Sequence, residues 1–137
     1  METETVERTK MDGPQVGDIL VSTWGYDQTN VDFWRVVGLT PSGKSVRIIP
    51  VDERVVDYSK GSERVVPVDP DEDGRRSRHW SGLPTTSLIR WFDHRSWVNG
   101  RTVVEETWCV GVPVGHRNTA HRWDGRPVHQ TAFGWGH

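Results

Sequence analysis

Short runs of apolar residues that alternate with polar ones fill much of the first half of the chain, and they predict strands. Three such runs are rich in β-branched and aromatic residues, which favour extended backbone: residues 17–24, 31–39 and 44–51. Residues 40–43 (TPSG) separate the last two runs with a proline and a glycine that suit a tight turn. Pro50 lacks an amide hydrogen, so we expect a strand end, an edge or a bulge there. The pattern predicts a three-stranded meander.

Periodicity is weaker further along the chain. The valine pairs at 55–56 and 65–66 lie on either side of Lys60-Gly61 and predict a weak edge hairpin. Residues 88–92 (LIRWF) suit either a strand or a helical turn. The tight-turn dipeptide Asn99-Gly100 joins residues 96–98 to a further strand over 102–110.

Two regions lack a regular pattern. Residues 69–82 show no hydrophobic period, so we expect an exposed loop. The last segment, 111–137, is rich in glycine, histidine and tryptophan, and we expect an ordered, packed loop rather than a regular element.

These elements predict a mainly β protein. We expect a small, strongly bent antiparallel sheet or an SH3-like or OB-like barrel, with long loops and little helix. A chain of 137 residues fits one domain, which we place at 15–137 behind a flexible lead-in at 1–14. Only 34% of the residues are hydrophobic, but eight tryptophans bury enough area each to support a compact core.

Charge is distributed unevenly although the net charge is only −2. An acidic middle, 52–74, precedes a basic C-terminal half that holds all six histidines. No apolar run approaches the roughly 18 residues that span a bilayer, and residues 1–11 lack the apolar stretch of a signal peptide. We therefore expect a cytoplasmic protein with no membrane contact.

Two segments mix aromatic rings with amide, hydroxyl and carboxylate groups, and both suit either a self-bonded loop or a ligand site. The first covers residues 24–30 and the second residues 121–137. The candidate ligand-binding residues are Trp24, Tyr26, Asp27, Gln28, Asn30, Trp123, Asp124, Gln130, Thr131 and Trp135.

The sequences of these two segments resemble those of small uncharacterised proteins of bacteriophages and other mobile elements. The resemblance rests on GDxxxSxWGYDQTNVDF, residues 17–33, and on WDGxPxxQTxxGWGH, residues 123–137. The middle of the chain is unmatched. The resemblance implies a phage or mobile-element origin and a host-cytoplasm setting, and it implies no mechanism and no catalytic residues.

A basic cluster with an adjacent aromatic ring follows the acidic middle. Its arginines could neutralise phosphates while the indole stacks on a base, or the cluster could be a solvated loop that balances the acids before it. The candidate nucleic-acid-binding residues are Arg75, Arg76, Arg78 and Trp80.

Metal and catalytic signatures are weak. His116, His121, His129 and His137 lie close in sequence, but their spacing matches no familiar metal motif. No serine sits in a nucleophile elbow, and no glycine-rich phosphate loop is present. We expect no cofactor and favour a protein that is not an enzyme.

Three functions remain open. The first is a non-catalytic binding domain for nucleic acid or a nucleotide, which predicts tryptophans exposed beside arginines. The second is an accessory factor that docks on host or defence proteins, which predicts an exposed apolar patch or an available strand edge. The third is a metal-dependent hydrolase that uses the C-terminal histidines. Homodimerisation is compatible with all three.

Overall fold

The computed structural model of the protein describes residues 6–25, 28–68, 74–77, 83–113 and 118–132. These ranges contain ten strands and no helix, so the prediction of a mainly β fold is confirmed. No helix that could cross a membrane occurs in them. The strands are β1 (Val6–Lys10), β2 (Ile19–Trp24), β3 (Asn30–Leu39), β4 (Ser45–Val51), β5 (Glu53–Ser59), β6 (Ser62–Pro67), β7 (Thr85–Val98), β8 (Arg101–Gly111), β9 (Thr119–Arg122) and β10 (Val128–Thr131).

Seven strands form one large sheet in the order β1-β8-β7-β4-β3-β2-β9. Its centre is the predicted meander, in which β2, β3 and β4 pair antiparallel in sequence order. The bulge in this meander lies at Val36–Gly38 rather than at Pro50. Pro50 lies beyond the last residue of β4 that pairs with β7, Ile48. No strand in the described ranges pairs with β4 on that side beyond Ile48, so the missing amide hydrogen of Pro50 costs no ladder bond among these residues.

The large sheet bends until its two ends meet at β9. The last two residues of β9 pair with β2, and the first two pair with β8. Because each pairing contains only two residue pairs, the sheet closes without becoming a regular barrel. The sheet is also mixed rather than purely antiparallel, since β1 runs parallel to β8.

Residues 6–10 correct the expectation of a flexible lead-in over 1–14. They form β1, and the backbone that follows is held as well: Met11 donates its amide hydrogen to the Glu106 carbonyl, and the Trp108 indole donates to the carbonyl of Asp12. The signal was hidden because every residue of β1 is exposed, so its sequence carries no apolar face.

A second sheet contains three strands in the order β10-β6-β5. The predicted hairpin at Lys60-Gly61 joins β5 to β6, with both turn residues at positive φ. The third strand, β10, pairs with β6 and corrects the expectation that 111–137 contains no regular element. Both β9 and β10 have only four residues, too few to display an alternation that sequence analysis could detect.

Two hydrophobic cores lie on opposite faces of β2 and β3. Trp34 and Val36 point into the bend of the large sheet, where they pack with Trp108 from β8. Val31 and Phe33 alternate with them and point to the other face, where the small sheet covers them. Strand β3 is therefore buried on both sides, which explains its nearly continuous apolar sequence.

Candidate functional site

The two aromatic-polar segments meet, and their amide and hydroxyl groups bond to each other's backbone. Thr29 donates its amide hydrogen to the Thr131 hydroxyl (2.9 Å), and the Thr131 amide hydrogen bonds back to the Thr29 carbonyl. The Val31 amide donates to the side-chain oxygen of Gln130 (3.2 Å). Thr131 and Gln130 therefore attach β10 to the start of β3, which is an architectural role.

Gln130 is also the centre of a buried polar cluster that sequence analysis did not detect. Its Nε2 donates to Glu63 (2.6 Å) and to Glu53 (3.1 Å), and all three residues are buried. Arg75 Nη1 reaches the same two carboxylate oxygens, at 2.8 Å from Glu63 and 3.4 Å from Glu53. The cluster satisfies buried charges that would otherwise be costly.

The two tryptophans predicted to share a site lie on opposite faces of the large sheet. Trp24 packs against the core inside the bend, and its indole donates to the carboxylate of Asp32 (2.5 Å). Trp123 packs edge-on against Phe33, with ring centroids 6.0 Å apart, in the other core. These two rings do not line one cleft.

The remaining candidates in these segments shape the backbone or lie outside the description. Asp124 accepts the amide hydrogen of Arg126 (2.9 Å) and so closes its own turn. Gly25 has a φ of 133°, and a Cβ there would meet the Gln28 carbonyl oxygen at 1.8 Å, so only glycine fits. Asn30 is buried opposite Trp24 in the β2–β3 pairing. Tyr26, Asp27 and Trp135 lie outside the described residues.

A cleft of about 540 Å³ opens beside the polar cluster. Val31, Phe33 and Val51 give it an apolar wall, and the charged groups lie around this wall. Its polar lining consists of Asp32, Glu53, Arg75, Arg76 and Ser77. The volume suits a small organic ligand. Because acids and arginines are mixed in the lining, the cleft favours neither an anionic nor a cationic ligand.

The predicted basic cluster is only partly described. Residues 74–77 do not form a free loop: Arg75 exchanges backbone hydrogen bonds with Glu53, and the Ser77 amide donates to Asp52 (2.8 Å). Arg75 is thus engaged with carboxylates, and Arg76 lines the cleft. Arg78 and Trp80 lie outside the described ranges, so a nucleic-acid site built from all four residues stays a prediction.

The histidines do not assemble a metal centre in the part of the chain that is described. His121 and His129 both line a second cleft, of about 430 Å³, together with Asp124. No group of three or more histidine, cysteine, aspartate or glutamate side chains is placed to hold a metal ion within the described ranges. His116 and His137 fall outside those ranges.

The largest group of exposed apolar residues in the described ranges lies elsewhere, on strand β7 of the β7–β8 hairpin. Strand β7 pairs with β4 only over Thr85–Leu88, whereas its pairing with β8 continues to Val98. Residues 90–106 therefore extend past the bent sheet as an arm. Strand β1 widens this arm by pairing with β8 on the side away from β7. Every residue from Arg90 to Val98 is exposed.

The arm carries apolar side chains on both faces. Residues opposite each other in an antiparallel pair share a face, so Trp91 and Trp97 lie on the side of buried Trp108, here called the inner face. Phe92 and Val98 lie on the outer face. Trp97 is 70% exposed, the largest value for any described tryptophan. The exposure of Trp91 and Phe92 could not be read from the sequence, because the apolar run LIRWF (88–92) also suits a buried strand.

The inner face also carries cations. Arg95 lies between the two tryptophans along β7, and Arg8 and Lys10 of β1 follow on the far side of β8. The Lys10 ammonium lies 4.8 Å from the centre of the Trp91 ring, a cation–π contact. Asp93 and Glu106, paired across β7 and β8, bring acidic charge to the same face.

Comparison of the chain with protein-family models, with curated proteins and with solved structures finds no match. The resemblance to proteins of phages and mobile elements therefore stays a prediction from two sequence motifs.

Proposed function

We propose that this protein is a non-catalytic binding domain of a phage or mobile element that docks on a host protein in the cytoplasm through its β7–β8 arm. One observation supports this proposal above all. Of the twelve large hydrophobic residues exposed in the described part of the chain, six belong to β7 or to the β1 strand beside the arm. They are Val6, Leu88, Trp91, Phe92, Trp97 and Val98.

Single exposed apolar residues are normal on a protein surface, but a concentration of them on one projecting element indicates a binding surface. Tryptophan and phenylalanine supply large contact area with few rotatable bonds, so they are frequent anchors in protein interfaces. Because β1, β8 and β7 form a ribbon that carries such residues on both faces, a partner can cover either face. The protein-docking hypothesis thus has the apolar patch that it requires.

A pair of matched double variants tests the proposal. Phe92→Ser with Val98→Thr removes the outer apolar face of the arm. Val56→Thr with Tyr58→Ser makes comparable changes on β5, where the two side chains are 45% and 57% exposed. In capture from nuclease-treated bacterial lysate, we expect the wild type and the β5 variant to retain the same protein. The arm variant should retain at least about tenfold less of it.

Circular dichroism of all three proteins checks that the substitutions leave the fold unchanged. Equal retention by the arm variant would overturn the assignment of the arm, and absence of any specifically captured protein would overturn protein docking itself.

Nucleic acid is the second candidate, favoured by the position of exposed Trp97 beside Arg95, with Arg8 on the same face. Stacking of bases on tryptophan and neutralisation of phosphates by arginine would act together there. A fluorescence titration with single-stranded oligonucleotides at two salt concentrations tests this candidate. Binding that weakens steeply with salt and disappears in Trp97→Ala would support it, and flat titration curves would eliminate it.

A further inference from the structure

The β7 side of the arm ends in a strand edge. Ile89 donates its amide hydrogen to the carbonyl of Lys44, so its backbone groups point toward β4 and away from β8. Backbone groups alternate sides along an antiparallel strand, and β7 pairs with β8 without a register shift. The amide and carbonyl groups of Trp91, Asp93, Arg95 and Trp97 therefore point to the same side as those of Ile89. No described strand pairs with them there.

We propose that a second copy of this chain occupies this edge, with the two β7 strands antiparallel and related by a two-fold axis at His94. In this register, Asp93 of each copy lies opposite Arg95 of the other, and Trp91 lies opposite Trp97. All four side chains are on the inner face. Opposite charges and aromatic pairs are the cross-strand combinations that stabilise sheets.

Hydrogen-bond geometry restricts the choice of register. Residues that face each other across an antiparallel ladder must both direct their backbone groups to the shared side or both away from it. The two-fold axis must therefore lie between the two copies of one residue, and it cannot lie midway between two successive residues of the strand. Centring it on Asp93 or on Arg95 would place two like charges directly opposite each other, which is destabilising. Centring it on His94 replaces both repulsions with attractions.

Self-pairing also removes a hazard of the isolated chain. A long exposed edge with tryptophans is a template for uncontrolled strand addition. In a two-fold pair the β7 edges of both copies are hydrogen-bonded to each other, so no further copy can add at these edges. The β1-β8-β7 ribbons of two copies would join into one continuous sheet. The outer-face residues Phe92 and Val98 would stay on its surface, so the pairing leaves the proposed docking function in place and does not depend on it.

Complementary charge variants of the full chain test the pairing. Asp93→Arg places two arginines opposite each other, and Arg95→Asp places two aspartates opposite each other. We expect the wild type to dimerise in sedimentation equilibrium and each single variant to do so at least about tenfold more weakly. An equimolar mixture of the two variants should recover wild-type association, because every arginine then faces an aspartate.

The mixture separates the proposed register from general loss of folding, since an unfolded variant could not rescue its partner. A wild type that stays monomeric up to about 1 mM would overturn the inference, as would a mixture no more associated than the single variants. Neither result would affect docking of a host protein, which is measured by capture with the Phe92 and Val98 variant.

A cysteine pair checks the position of the axis. His94 would face its own copy in a non-hydrogen-bonded pair, with Cα atoms about 4.5 Å apart, within disulfide range. In a Cys109→Ser background, His94→Cys should therefore oxidise to a covalent dimer. Ser96→Cys is the matched control on the same face of β7, because its two copies would be roughly 13 Å apart along the ladder. Equal cross-linking of both variants would contradict the register.

Discussion

Gln130 shows how a single polar side chain can unite two sheets. It accepts a hydrogen bond from the backbone of β3 and donates to carboxylates at the starts of β5 and β6, Glu53 and Glu63. Two buried acids share one arginine, Arg75, so the amide of Gln130 supplies donors that the arginine alone does not. Buried polar networks of this kind are stabilising only while every member is present.

Replacing Gln130 with leucine keeps the volume approximately and removes the amide. We expect the free energy of unfolding to fall by about 3 kcal/mol, because two buried carboxylates lose a donor and the Val31 amide loses its acceptor. Urea denaturation measures the change. His129→Leu, at the neighbouring exposed position of β10, should change stability by less than about 0.5 kcal/mol. Equal effects of the two substitutions would show that the network contributes little.

At this scale the structure shows internal hydrogen bonds at several residues that were predicted as ligand contacts, and their binding of a ligand stays a prediction. Thr131, Gln130, Asp124 and Trp24 were predicted as ligand contacts because their types are polar or aromatic. The partners of Thr131 and Gln130 lie far away in the chain: Thr131 bonds to Thr29, and Gln130 bonds to Glu53, 77 positions earlier. Local patterns contain no information on which distant backbone group a side chain will reach, so residue type alone could not separate an internal bond from a ligand contact.

The β7–β8 hairpin shows what turn chemistry determines and what it leaves open. Asn99 and Gly100 both adopt positive φ, 50° and 75°, as a two-residue hairpin turn requires. This turn was predicted correctly. The length of the hairpin was not, because residues 90–98 are exposed and mix charged, aromatic and polar side chains without a strict alternation. Pairing with β8, rather than an apolar face, keeps them extended.

Gly100 offers a clean measure of backbone strain in this turn. A Cβ at Gly100 would touch nothing within 4 Å, so the cost of Gly100→Ala comes from the left-handed backbone alone. We expect thermal or urea unfolding to show a loss of about 1 kcal/mol. Gly111→Ala is the control, since it also has open space but no positive φ, and it should not destabilise. Similar losses at both sites would argue against strain at the turn.

The whole molecule is organised around a meander that is covered on both faces. Trp34 and Val36 belong to one core, and Val31 and Phe33 to the other. Because β3 contributes to both cores, we expect the loss of either core to weaken the other. We therefore expect the two sheets to unfold as one cooperative unit.

Alanine substitutions in the two cores test this cooperativity. Val36→Ala opens the core inside the bend and Val65→Ala opens the core under the small sheet, and both side chains are fully buried. We expect each to cost about 2 kcal/mol. In both variants, far-ultraviolet circular dichroism and tryptophan fluorescence should report one coincident transition. Two separate transitions in either variant would mean that the sheets unfold independently.

Much of this architecture was accessible from the sequence, and the limits have a physical origin. The meander and both two-residue turns were predicted because apolar alternation and turn residues are local signals. The parallel partner of β8, the closure through β9 and the third strand of the small sheet were not, because β1, β9 and β10 are short or exposed. Such strands form because an unpaired edge of a sheet is available to hydrogen-bond with them. A local sequence pattern contains no information about that edge.

The parallel pairing of β1 with β8 has a consequence for synthesis on the ribosome. Thr102, the partner of Val6, is made 96 residues after it. At ordinary elongation rates this delay is on the order of ten seconds. Throughout that interval β8 does not yet exist for β1 to pair with, so the nascent chain must carry β1 as an unpaired segment. Its charged, exposed composition keeps that segment soluble until the hairpin that receives it has emerged.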